Sequence, residues 1–349
     1  MEKLVRRLPA EWEKHQATLL SFPHEGADWP GKFGAIKWAF IDFIHKITEH
    51  EPVILIVKSV KHRETVDKML RKAHTNVAGI EYLIQTTNRS WMRDTGPIIV
   101  TRNDRQPEAL QFRFNGWAKY SNFRLDSHIP ASVARYLDIP LTRVLYKRKP
   151  VVLEGGAIDC NGSGTLITTR ECLLDLSHQV RNSGFNEKDY ETLFAEYLGI
   201  HNVIWLNKGI EGDDTHGHVD DICRFAARNT IVACVEKNKT DPNHRNLEEN
   251  LQILKSAKLE DGSKPDIIEI PMPRRIEFAE MRLPASYANF LITNGSVLVP
   301  TFNDKNDPIV LGIFQEIFHD REVIGIHALD LIWGLGTLHC LSHEIPAEN

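Results

Sequence analysis

Only five cysteines occur in 349 residues (Cys160, Cys172, Cys223, Cys234 and Cys340), an odd number with no Cys-x-x-Cys spacing. That argues against a disulfide framework or a structural zinc knuckle and suits a reducing compartment. No stretch approaches 18 uninterrupted apolar residues, so no membrane span is expected. The N-terminal MEKLVRRLPAEWEKHQ is basic but has no apolar segment of the kind a secretion signal needs. A cytoplasmic chain is the expectation. An excess of positive charge is also missing: 42 Lys and Arg stand against 47 Asp and Glu, for a net charge of −5. Nucleic acid is therefore not an expected partner, whereas a cationic ligand is tolerated. The zinc-protease signature His-Glu-x-x-His does not occur. What is present is the balance of a globular protein, 42% hydrophobic and 26% charged, enough for a substantial core.

Apolar patterning predicts a strand at 17–23, a helix at 32–49 with Phe33, Ile36, Trp38, Phe40, Ile41, Phe43, Ile44 and Ile47 on a broad face, and a buried strand at 53–57. A helix at 62–74 and a strand at 80–84 follow. From there one pattern recurs four times: hairpin, helix, strand. The hairpins are expected at 93–101/109–114, 151–160/165–169, 217–226/230–236 and 287–293/297–302, the last turning at Asn294-Gly295. Each copy runs to roughly 60–70 residues, the scale of a propeller-like module. The first strand and the strand around Cys340 each lack a partner, and pairing them makes a fifth module. The expectation is one α/β domain over 1–349, with five ββαβ units around a pseudo-fivefold axis. A doubly wound sheet fits the frequent hairpins less well, and two domains would need a linker that the sequence does not offer.

In a closed ring the first strands of the hairpins line the axis. Asp94, Glu154, His218 with Asp220, Asn289 and Cys340 would then converge on one cavity, where uncompensated charge is costly unless a ligand or a partner meets it. Gly334 and Gly336, just before Cys340, let backbone approach a ligand closely. Trp91 is the candidate aromatic wall. His218 and Asp220 are two apart, which on a strand places them on one face, while Gly217 can twist His216 away. Cys223 and Cys234 are expected in the core, Cys160 and Cys172 in packing roles, and His15, His24, His62 and His74 at the surface. One thiol, one histidine and several carboxylates suit a planar cationic electrophile: carboxylates hold a guanidinium by forked hydrogen bonds, a thiolate attacks its carbon, and histidine moves the protons. Two other readings stay open. His216-x-His218-x-Asp220 with His343 resembles a metal-ligand run, giving a metal-dependent amidohydrolase; a non-catalytic binding scaffold is the other.

The motifs WMRDTGP, QFRFNGW, VLEGGAI-DCNGSGT-LITTRECLL, DDTHGHVDDICRF, ASYANFLITNGSVLVP and GxGTLHC resemble the agmatine deiminase and bacterial-type peptidylarginine deiminase family across essentially the whole chain. The resemblance implies a pentein α/β propeller and hydrolysis of a small guanidine, with agmatine giving N-carbamoylputrescine and ammonia. It implies Cys340 as nucleophile through a thiouronium-type intermediate, His218 as acid and base, Asp94 and Asp220 as guanidinium holders, and Glu154 in support of the histidine. Asn289, Trp91 and Gly336 would line the substrate. It implies no metal or other cofactor, and a homo-oligomer such as a dimer. The tail GLGTLHC-LSHEIP departs from the family's GGGNIHC approach and following glutamines, so peptidylarginine and free arginine remain alternative substrates.

Overall fold

A computed structural model describes residues 5–347. Five sheets of three or four strands carry the chain, together with two short two-stranded ribbons. Four sheets follow the order expected of a hairpin that meets a returning parallel strand. One places Ile158–Cys160 antiparallel to Thr165–Thr169 and Asn202–Leu206 parallel to the latter. Cys223–Ala227, Thr230–Val235 and Asp266–Pro271 repeat the arrangement, as do Leu291–Ile292, Ser296–Thr301 and Glu322–His327. The fourth pairs Ile98–Arg102 with Pro107–Gln111 and then Leu141–Arg143, and adds Arg6–Arg7 at its edge.

The fifth sheet joins the two ends of the chain. His15–Ser21 lies antiparallel to Ser342–Pro346 and parallel to Val53–Val57, which pairs with Ile80–Ile84. The unpartnered first and last strands of the sequence reading thus find each other.

Helices return the chain between hairpin and parallel strand because their apolar residues recur at helical spacing. In Phe33–Thr48, Ile36, Phe40, Phe43, Ile44 and Ile47 are buried, but Trp38 is 44% exposed and does not belong to that face. Glu187–Leu198 starts at a reciprocal cap between Asn186 and Asp189 and stops at Gly199. Gly199 adopts φ +69°, and a Cβ there would sit 2.0 Å from the Arg6 carbonyl oxygen, so only glycine fits. Among the described residues, no helix is long and apolar enough to cross a membrane.

The residues preceding the first strands differ from expectation. Arg93 and Asp94 lie in a one-turn helix, Met92–Thr95; Glu154 leads into the 3-10 turn Gly155–Ala157; His218 caps the 3-10 turn Val219–Asp221 that holds Asp220. Cys340 sits in the helical turn Leu338–Leu341, and the strand begins only at Ser342. Asn289 precedes its strand in the same way. The polar residues therefore stand on turns at the entries of the hairpins, where backbone donors and tight bends can aim them, and strand alternation does not govern their direction.

Candidate active site

Cys340 and Asp94 border a cavity of about 220 Å³ whose walls include Trp91, Trp117, Tyr120 and Asp214. Gly336 carries no side chain because a Cβ would meet Trp91 at 2.9 Å and the Cys340 sulfur at 3.2 Å. The side chain of Asn289 fixes Cys340. Its Nδ2 donates to Cys340 Sγ at 3.1 Å and its Oδ1 accepts from the Cys340 backbone N–H at 3.3 Å.

Carboxylates crowd the sulfur. Asp220 Oδ2 is 3.7 Å from Sγ, and burial together with Asp220, Asp221 and Asp94 pushes the Cys340 thiol well above its ordinary range. A cation bound among these acids would cancel much of that field and release the thiolate. Asp220 Oδ1 is buried without a hydrogen-bond partner among the described residues, an open acceptor at the same spot.

His218 is 1% exposed, and neither ring nitrogen has a hydrogen-bond partner among the described residues. Nδ1 is 3.8 Å from Asp94 and Nε2 3.9 Å from Glu154. Burial alone would lower its pKa, but the Asp94 charge, with Cys172 and Asp220, carries it well above the ordinary value, favouring an imidazolium. Its position is set from behind. Asp213 accepts from the backbone N–H groups of Gly217 at 2.7 Å and His218 at 3.0 Å. Gly217, at φ +92°, turns His216 outward, where Nε2 meets Asp175 at 2.8 Å. Asp94 accepts from Trp117 Nε1 at 2.8 Å and Gly156 N at 3.1 Å, and burial followed by the other acids raises its pKa against the opposing pull of His218. Glu154 is fully buried against Arg181, whose Nε is 3.0 Å away.

Cys340, His218, Asp220, Asp94, Glu154 and Asn289 thus come together in one region, with Trp91 and Gly336 beside the sulfur. Two sets could accept a divalent cation on distance, Glu154–Cys172–His218 and Asp220–Asp221–Cys340, each with ligand atoms within 4.8 Å of one another. In the first, Arg181 already neutralises Glu154. His343 joins neither set. It faces a separate inner cavity of about 50 Å³ with Arg93 and Glu344. His15, expected at the surface, is 3% exposed because Nδ1 meets Glu51 at 3.2 Å and Nε2 the Glu11 carbonyl at 2.6 Å. Cys223 and Cys234 are core residues, and all five cysteines are free and buried.

The sequence profile of the Porphyromonas-type peptidyl-arginine deiminase family matches residues 7–346. The chain belongs to that family. A Legionella pneumophila relative named "Putative agmatine deiminase" is 33% identical over 346 residues, which is 98% of this chain and 95% of that protein. An agmatine deiminase of Ectopseudomonas mendocina is 28% identical over 363 residues, 97% of this chain and 95% of its own length. A cysteine-to-serine variant of C. jejuni agmatine deiminase, solved with substrate bound, matches with a TM-score of 0.88 and 29% identity, covering 100% of this chain and 98% of that one. The mixed α/β fold of this chain is therefore that of agmatine deiminase structures.

Three residues of this member of the peptidyl-arginine deiminase family are given no role by the sequence reading. His339, next to the nucleophile, is held at both nitrogens: Nδ1 meets Asp220 at 2.7 Å and Nε2 meets Glu11 at 2.9 Å. Glu11 also takes Arg224 Nη2 at 2.5 Å and the Ile292 N–H at 2.8 Å. Burial opposes its charge, but Arg224 and His339 hold its pKa well below the usual range. Arg224, fully buried in the strand Cys223–Ala227, carries the one available signal: an arginine inside an apolar run must have an acid waiting.

Proposed function

We propose that the protein hydrolyses agmatine to N-carbamoylputrescine and ammonia, a hydrolase acting on a C–N bond of a linear amidine. The carrying observation is a buried thiol ringed by Asp94, Asp220 and Asp221, with an unpartnered Asp220 oxygen and a free-standing histidine beside them. Such a set is acceptor-rich and lacks only a cation. A guanidinium supplies it, with donors in the fork geometry that carboxylates match.

In this reading Asp94 and Asp220 hold the guanidinium, and its charge offsets the field that keeps Cys340 protonated. The thiol proton passes to solvent and the thiolate adds to the guanidinium carbon. The His218 imidazolium gives its proton to one amino group, which departs as ammonia and leaves a thiouronium-type intermediate. Neutral His218 then takes a proton from water as its oxygen attacks the same carbon. Expulsion of the thiolate gives the ureido product, and the hydroxyl proton of the collapsing adduct returns to the sulfur. Glu154, neutralised by Arg181, and Asp94 orient His218; Asn289 steadies the sulfur; Trp91 walls the site.

The same reading extends to architecture and setting. One deiminase domain spans 1–349, its five sheets forming ββαβ modules of a pentein propeller around the site. The protein works in the cytoplasm as a homo-oligomer and needs no metal or other cofactor. Free arginine and peptidylarginine are the alternative substrates, and a metal-dependent amidohydrolase is the alternative chemistry.

The test is a turnover panel of agmatine, free arginine and a peptide with internal arginine, assayed for ammonia and ureido product. Agmatine is expected to be hydrolysed with the highest kcat/KM. Turnover of none of the three, or full activity in Cys340→Ala, removes the reading.

A further inference from the structure

The site above accounts for the guanidinium and leaves the other end of the substrate unassigned. The same cavity is also lined by two acids outside that set, Asp28 and Asp214, and they are not equivalent. Asp214 is already saturated: Oδ1 accepts from Lys119 Nζ at 2.5 Å and Oδ2 from the Tyr120 hydroxyl at 2.7 Å. Asp28 is half used. Its Oδ1 accepts from Arg89 Nη1 at 2.5 Å, while Oδ2 is buried with no hydrogen-bond partner among the described residues. Asp28 is only 8% exposed, so bulk water does not complete it. A buried acceptor left open beside a cavity costs free energy that a donor from a ligand would recover.

We infer that Asp28 Oδ2 receives a primary alkylammonium at the far end of the guanidine substrate, making Asp28 the residue that selects agmatine-like substrates. The inference rests on the deiminase reading above and names what that reading left open. Arg89 is spoken for on both outer nitrogens, by Asp28 and by Asn122 Oδ1 at 3.2 Å, and its guanidinium lies over the Tyr120 ring at 4.2 Å. It thus anchors Asp28 and stiffens one wall. Trp91 and Trp117 offer aromatic surface to the methylene chain and to the ammonium. At about 220 Å³ the cavity has the room of roughly seven waters at about 30 Å³ each, suited to a short, unbranched diamine arm. A head group bearing its own carboxylate would place that charge against Asp28.

Asp28 also titrates in a measurable range. Burial pushes its carboxyl up to about 6, with Arg89 and the nearby Trp91 indole opposing and Glu25 and Asp214 adding to the rise. The charged groups facing it are Arg89, Glu25, Asp126, Asp214 and Lys119, and Asp126 is itself pushed up to about 7, mainly by burial. The ammonium is held while Asp28 is ionised and released as pH falls through about 6.

The experiment compares agmatine with n-butylguanidine, the same chain without the amine. In the wild type at pH 8 the kcat/KM ratio of agmatine over n-butylguanidine is expected to be large and to fall as pH is lowered through about 6. In Asp28→Asn the ratio at pH 8 falls about ten- to a hundredfold, as expected for loss of one charge-assisted hydrogen bond. The loss appears mainly in KM for agmatine. The remaining ratio no longer varies between pH 8 and 5, although Asp126 still titrates there. A ratio unmoved by Asp28→Asn, or a wild-type ratio flat across pH 6, overturns the inference while leaving the deiminase reading intact. Should Asp28→Asn fail to fold, Asp28→Ser carries the same comparison at pH 8. Turnover of neither guanidine by the wild type removes both readings together.

Discussion

His339 Nδ1 lies 2.7 Å from Asp220 Oδ2, so the acid that reaches toward the Cys340 sulfur is tied to the histidine one residue before Cys340. Burial alone would raise the Asp220 pKa, but the hydrogen bond and charge of His339 bring it below the ordinary value. His339 is a positioning residue: it keeps Asp220 ionised and leaves Oδ1 open to the guanidinium. Replacing the ring by the neutral amide in His339→Gln lets the Asp220 pKa rise. KM should therefore rise about tenfold, with kcat changing less. A fall in kcat with an unmoved KM would mean that His339 serves packing alone.

Gly156 supplies a steric test. A Cβ there would stand 2.5 Å from His218 Nδ1 and 3.0 Å from Asp94 Oδ1. Gly156→Ala should displace the imidazole by a fraction of an ångström to an ångström and lower kcat by about a hundredfold. Circular dichroism should show the fold retained. Wild-type kcat in this variant would place the acid and base elsewhere.

Covalent chemistry and metal chemistry separate cleanly. Cys340→Ala should abolish turnover, whereas exhaustive chelation of the wild type should leave activity within about twofold. Activity that disappears with chelator and returns with zinc would favour the metal-dependent alternative.

Acid stability should carry two separate steps from neighbouring residues at the inner cavity. Burial, reinforced by Arg93, lowers the His343 pKa to about 4, although Glu344 pulls the other way. The unfolded chain therefore binds this proton first, and stability falls as pH drops from about 6.5 to about 4. For Glu344, burial is outweighed by Arg93, 2.7 Å away, and its pKa falls to about 2. Its contribution is complete above about 4.5 and is lost as pH falls through about 2. His343→Asn should flatten the upper step, worth on the order of 1–3 kcal/mol, and leave the lower one. Urea titrations at pH 7, 5 and 4 measure this, and an unchanged slope between 6.5 and 4 would refute it.

Much of this architecture can be read from the residues because long elements advertise their period. The strand Val53–Val57 and the helix Phe33–Thr48 fall within a residue or two of expectation. The turns that carry the polar groups do not. Met92–Thr95 and Leu338–Leu341 are four residues each, too short for a helical repeat to show, so Asp94 and Cys340 read as strand residues. Their convergence is legible in the sequence, but the geometry that produces it is not. Glu11 stays hidden for another reason: it sits in an irregular segment, and its partners Arg224 and His339 are hundreds of positions away. Ion pairs between such distant residues leave no local mark.

The antiparallel pairing of His15–Ser21 with Ser342–Pro346 makes the nucleophile a product of chain closure. Glu11 connects to Cys340 through His339 and Asp220, so the two ends of the described chain meet at the thiol. A polypeptide interrupted during synthesis, or clipped near either extremity, would carry every other part of the pocket and yet be inert.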